Sequence, residues 1–202
     1  YESTLPYFAP IANWKPNSNK WLNTLDIENV MHQYETLYPS FNFLGVCPVD
    51  WDYKLHNNSD NTCVCKTICD LNLQEKKMGG INKLGAVFNL DEHDKPGSHW
   101  VSLFIDNSRK KMYFFDSTGS RCPTRIKKIY HKLKAQEGNE ELQFFSNYRI
   151  KHQKKNSECG VYCLYFLLRM LSDNNFDYFV NKKKLIPDKE IAKYRDIYFN
   201  VL

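Results

Sequence analysis

Twelve consecutive residues, Gly160 to Leu171 (GVYCLYFLLRML), carry a single charge, Arg169. A run of helical length that is apolar nearly all round reads as a buried central helix, and the rest of the chain must supply its cover. The preceding stretch, Gln153 to Cys159 (QKKNSEC), is polar and marks where that helix starts. Cys159 therefore stands at a helix N-terminus, where unpaired backbone N–H groups and the helix dipole favour thiolate over thiol.

The covering elements can be read in order. Residues 1–20, with Pro6, Pro10, Pro16 and Asn17-Ser18-Asn19, suit an extended arm, leaving 21–202 as one domain. Trp21 to Tyr38 has helical spacing, with Asn23 or Thr24 as N-cap, Ile27, Val30, Met31 and Tyr34 on one face, and Pro39 as the stop. Phe41 to Val49 fits a strand or a buried loop, and 50–70 an irregular connection. A short helix over Leu71–Lys77 ends at Gly79-Gly80. Lys83–Leu90, Trp100–Asp106 and Lys111–Phe115 read as strands, the last two paired across Asn107-Ser108-Arg109. Residues 91–97 carry turn chemistry. Pro123–Ala135 is expected as a basic amphipathic helix, Leu142–His152 as a strand and Asp188–Asn200 as a closing helix. Helices and strands in this order make an α+β layered domain.

Composition narrows the function classes. At 202 residues and 42% hydrophobic content the chain can bury a sizeable core. No run reaches the ~18 apolar residues of a membrane span, so no membrane partner is expected. The chain opens at Tyr1 without a methionine or a signal peptide, which suggests a piece of something longer. Seven cysteines show no regular disulfide framework, and a reducing, intracellular compartment is expected. Cys63-x-Cys65-x3-Cys69 lacks the second pair that a zinc site needs, so no metal and no cofactor are expected. The net charge of +5 comes from clusters at Lys127-Lys128, Lys132 and Lys134, Lys151 to Lys155 and Lys182 to Lys184. A solvated basic face is one reading; a surface for nucleic acid or an acidic partner is the other.

A thiolate nucleophile needs a base and an orienting carboxylate. Of six histidines, His99 opens a strand at a loop edge, where a ring nitrogen can face a cleft shielded by Trp100. Asp116, closing the next strand, can hold the other ring nitrogen. Gln153 is the candidate oxyanion donor together with the backbone N–H of Cys159. Gly160 lets a substrate backbone come close to the sulfur. Cys163, one turn on, belongs to the core.

In the order His99-Trp100, Asp116-Ser117, Gln153…Glu158-Cys159-Gly160, with Trp21-Leu22-Asn23-Thr24-Leu25-Asp26-Ile27 upstream, the chain resembles the Ulp1/sentrin-specific protease superfamily, the C48-type cysteine proteases. The match runs from about residue 21 to 172. The resemblance implies a papain-like α+β core with a central mixed sheet flanked by helices, and a triad of Cys159, His99 and Asp116 with Gln153 in the oxyanion hole. It also implies that Trp21, with Trp100 and Gly160, lines a narrow tunnel for a glycine-containing substrate tail. Thr24 stands where the family usually has aspartate, which weakens the carry-over of contacts to a small ubiquitin-like modifier. In Gly85 to Asp91, Lys95 to Trp100 and Phe115 to Gly119 the chain looks closer to the polyprotein-processing proteases of large DNA viruses.

Three functions are in play. The first is a protease that cleaves viral structural polyproteins after Gly-Gly or Gly-X-Gly, in the host cytoplasm or the virion. The second is an isopeptidase removing ubiquitin or a relative such as SUMO or NEDD8. The third is a binding module that keeps the fold without activity, which the complete catalytic set disfavours.

Overall fold

The computed structural model describes residues 20–55 and 62–199. The expected arm, apart from Lys20, lies outside the described residues. Among the described residues, five strands form one mixed sheet in chain order: β1 (Phe41–Pro48), β2 (Lys83–Asn89), β3 (Trp100–Asp106), β4 (Lys111–Phe115) and β5 (Gln143–Ser146). The outer pairs, β1–β2 and β4–β5, are parallel, and the inner pairs are antiparallel.

Successive side chains of a strand point to opposite faces, and here both faces are buried. Val101, Leu103 and Ile105 of β3 join Met112 and Phe114 of β4 in one core. Phe104, Tyr113 and Phe115 enter the other. On the first face pack α2 (Lys66–Cys69), α3 (Leu73–Met78) and α4 (Thr124–Lys134), the last through Ile126, Ile129 and Leu133. The second face is covered by α1 (Thr24–Leu37) and α5 (Cys159–Ser172), with the C-terminal α6 (Asp177–Val180), α7 (Asp188–Ala192) and α8 (Tyr194–Tyr198) around them. As its sequence requires, α5 buries almost every side chain and lies across β3.

Local chemistry sets the ends of these elements. Asn23 caps α1: its side chain accepts the Asp26 N–H at 2.9 Å, and Asp26 accepts the Asn23 N–H at 2.9 Å. Phe41 to Pro48 is a strand, which resolves the choice left open there. The expected strand over 142–152 stops at Ser146, because Asn147 turns its side chain onto the backbone of Asp116 and Arg149 takes a positive φ of 67°. The closing helix divides at Lys193 into α7 and α8.

The cysteine reading needs a correction. Cys47 is bonded to Cys65 and Cys63 to Cys69, while Cys122, Cys159 and Cys163 are free and buried. Cys47 lies near the end of β1 and Cys65 at the start of α2, so folding, not spacing, brings them together. The two bonds tie the segment read as irregular to the edge of the sheet.

Candidate active site

Because β3 and β4 are antiparallel, the start of one and the end of the other meet at a single rim, where Ser102 pairs with Phe115. His99 and Asp116 lie just beyond that pair. The His99 Nε2–H donates to Asp116 Oδ1 at 2.8 Å, and the same oxygen accepts the Thr118 N–H and hydroxyl, each at 2.8 Å. Asp116 is itself locked by Asn147, whose side chain accepts the Asp116 N–H and donates to its carbonyl, continuing the strand ladder by other means.

The second ring nitrogen of His99 serves Cys159, the first residue of α5, which is 1% exposed. Burial alone would push the imidazole pKa down. Hydrogen bonds and charge from Asp116 and Cys159 outweigh it and raise it to about 9. Asp116 is desolvated too, yet His99 and the two Thr118 donors hold its carboxyl below the usual range. No side chain caps α5, so its first N–H groups remain directed at the region of the sulfur.

Gln153 is buried and fixed at one end. Its N–H donates to the Ser117 carbonyl at 2.9 Å, and its Oε1 accepts the Ser117 hydroxyl at 2.5 Å. With the oxygen occupied, the NH2 end is the end left to donate, the orientation an oxyanion donor needs. Asp116 and Ser117 thus organise both halves of the site from adjacent positions.

Trp21 and Trp100 line one cleft of about 540 Å3, together with Asn23, Thr24, Asn89 and His93. The Trp100 indole N–H donates to the Leu22 carbonyl at 2.9 Å, which pins the entry of α1 beside the rim. Gly160 is not among the residues lining that cleft, and its neighbour in the structure is Leu22. A Cβ there would stand 3.0 Å from Leu22 Cβ, so the glycine lets the start of α1 close over α5.

Several supports were not read from the sequence. Glu158, next to Cys159, forms a buried ion pair with Arg195 of α8 at 2.9 Å, and Arg195 also donates to the Ser157 carbonyl. Asp188 accepts the backbone N–H groups of Lys154 and Lys155 and the Tyr162 hydroxyl. These contacts fasten the loop before Cys159 to the C-terminal helices. No local pattern links positions so far apart, whereas Ser117 had a signal in its place beside Asp116. His93 provides a second histidine–carboxylate pair, its Nδ1 2.7 Å from the buried Asp50 Oδ2, but Asp50 and Tyr53 are its neighbours and Cys159 is not.

Comparison with known proteins identifies the family and the fold. Residues 72–201 match the Ulp1 protease family, C-terminal catalytic domain. The R355 protein of Acanthamoeba polyphaga mimivirus, which carries the name of a thiol protease, is 36% identical over 187 residues, 90% of this chain and 57% of its own length. The chain thus spans little more than half of that relative. The cysteine protease S273R of African swine fever virus is 22% identical over 92% of this chain and 70% of its own length. Its crystal structure superposes with a TM-score of 0.80, at 19% identity, over 96% of this chain and 72% of that one. The Ulp1 protease domain, solved in complex with Smt3, the yeast ortholog of SUMO, superposes at 0.53 and 17% identity over 96% of this chain and 89% of that one. With the family match spanning His99, Asp116, Gln153 and Cys159, the chain belongs to the Ulp1 protease family.

Proposed function

We propose that this chain is a thiol protease that cleaves after glycine, with Cys159 as nucleophile, His99 as acid and base, Asp116 as its orienting carboxylate and Gln153 as oxyanion donor. The observation that carries the reading is His99 held between a buried carboxylate and a buried cysteine at the start of a helix. The Cys159 sulfur attacks the carbonyl carbon of the scissile bond, and its proton resides on His99. The developing oxyanion takes hydrogen bonds from the Gln153 NH2 and the Cys159 backbone N–H. His99 then gives its proton to the leaving amine as the C–N bond breaks. Water, deprotonated by His99, hydrolyses the thioester and restores the sulfur.

The substrate is assigned to a structural polyprotein with Gly-Gly-X or Gly-X-Gly sites. The similarity to two proteins of large DNA viruses supports this, as does a cleft walled by two tryptophans beside the rim. Removal of ubiquitin or a modifier such as SUMO is the rival, favoured by the fold likeness to Ulp1 solved with Smt3. Peptides differing only in glycine or alanine before the scissile bond, run beside ubiquitin, SUMO and NEDD8 activity probes, separate the two. Cleavage of glycine peptides without probe labelling supports the polyprotein assignment. Strong labelling of Cys159 by one probe replaces it with the modifier reading.

A further inference from the structure

A second cleft, of about 390 Å3, lies between α4 and β5. Its walls carry Arg121, Lys127, Lys128 and His131, with Phe144 and Tyr148 between them, and no carboxylate lines it. Helical spacing explains one wall. Thr124, Lys127, Lys128 and His131 share the face of α4 opposite buried Ile126, Ile129 and Leu133. Outside the cleft, α4 has its charges met: Arg125 reaches Glu92 at 3.1 Å, and Lys132 donates to the carbonyls of Ile68, Cys69 and Leu71. Within it, among the described residues, only Lys128 has a carboxylate, Asp52 at 3.6 Å. Among the described residues, none of Arg121, Lys127 and Arg149 has a carboxylate within ion-pair distance.

The rings and cations interleave. Lys127 lies 4.9 Å from the centre of Phe144, and Arg121 and Arg149 lie 5.1 and 5.2 Å from that of Tyr148. Tyr148 nevertheless stays 39% exposed. The walls are held in place, since Arg149 N–H donates to the Gly119 carbonyl at 2.9 Å, joining the loop of Arg121 to that of Tyr148. Gly119 permits this approach: a Cβ there would stand 2.7 Å from the Ile150 carbonyl.

We propose that this cleft binds single-stranded nucleic acid, a base stacking on Tyr148 and Phe144 while the flanking phosphates meet Arg121, Lys127 and Arg149. Arg121 and Arg149 hydrogen-bond the Tyr148 hydroxyl but, like Lys127, meet no carboxylate among the described residues, and they alternate with the exposed Tyr148 ring and the half-buried Phe144 ring. Such a strand requires this combination: charge along its backbone and flat faces for its bases. An acidic peptide would satisfy the cations but leave the rings without a planar partner. The volume falls within the range of about 300–1,000 Å3 typical of ligand clefts. The inference does not depend on the protease reading.

Fluorescence anisotropy of a labelled oligothymidine tests it. Binding is expected to weaken on the order of tenfold between about 50 and about 200 mM salt, as two or three phosphate contacts dictate. The double change Arg121→Glu, Lys127→Glu should cost at least about tenfold, and Tyr148→Ala roughly tenfold through lost stacking. Lys182→Glu with Lys183→Glu, an equal change of charge outside the cleft, should cost less than about twofold. Unchanged unfolding midpoints confirm that each variant is folded, and Lys127→Gln replaces the double change if that one is not. Absence of binding at low salt overturns the proposal, as does an equal loss in the Lys182/Lys183 control. Displacement by polyglutamate as effective as by oligothymidine, with no effect of Tyr148→Ala, also overturns it and assigns the cleft to acidic polypeptide.

Discussion

His99 and His152 are both taken out of water, yet they titrate in opposite directions. His152 is 2% exposed; its ring donates from Nε2 to the Phe179 carbonyl at 3.0 Å and accepts the Ile186 N–H on Nδ1 at 3.2 Å. That pair of partners needs a neutral ring, and burial holds its pKa below the ordinary 6.5. His99 meets a carboxylate and a thiol instead, and its pKa rises to about 9. Burial pushes both rings toward neutrality, so the difference comes from the partners alone. One histidine is held neutral between backbone groups; the other is held charged beside Cys159, as the proposed mechanism needs.

The largest expected effect separates these roles directly. His99→Gln should lower kcat/KM on the order of a thousandfold while the protein remains folded. His152→Gln should lower the unfolding midpoint with far less effect on turnover. Equal kinetic losses would erase the distinction. Asp116→Asn should be milder than loss of His99, because Asn147 and Thr118 continue to position the rim.

The support beneath Cys159 comes next. Arg195→Met leaves the buried Glu158 carboxylate unpaired and should cost about 3–5 kcal/mol in chemical denaturation. A loss below about 1 kcal/mol would mean that the pair is open to water. Gly160→Ala is smaller, about 1–3 kcal/mol, from overlap with Leu22. Repeating it in a Leu22→Ala background should recover part of that cost; an identical cost in both backgrounds would place the strain elsewhere.

The smallest effect is the shape of stability against pH. The folded state holds a proton on His99 more tightly than the unfolded state does. That contribution is complete below about 6.5 and is lost as pH rises through about 9. His152 works the other way: folded protein resists its protonation, so its contribution is present above 6.5 and lost as pH falls below it. Unfolding midpoints of the two glutamine variants should therefore diverge from the parent on opposite flanks: His99→Gln most below about 6.5, closing as pH rises through about 9, and His152→Gln above 6.5, closing as pH falls below it. Parallel curves would contradict both assignments.

The placement of His99, Asp116 and Cys159 was legible in sequence because each element announces itself. An all-apolar helix needs a polar start, which places Cys159, and two strands flanking a short turn must bring His99 and Asp116 to one edge. Gln153 was legible only through the spacing of the family motif. The packing of Gly160 against Leu22 was silent because the two positions are far apart in the chain. The disulfides escaped because Cys47 and Cys65 meet through tertiary folding. Arg195, Asn147 and Asp188 were silent for the same reason: each acts on a segment distant in the chain, through polar contacts that leave no periodic trace. Strand β5 was overestimated because its apolar alternation continues past Ser146, where an asparagine side chain takes over the hydrogen bonds of the ladder.

NMR titration of the His99 ring in the parent protein and in Cys159→Ala tests the central arrangement most directly. The parent should titrate at about 9, and removal of the sulfur should lower that midpoint by taking away one of the two groups that hold the proton. A midpoint near 6.5 in the parent, unmoved by Cys159→Ala, would contradict it.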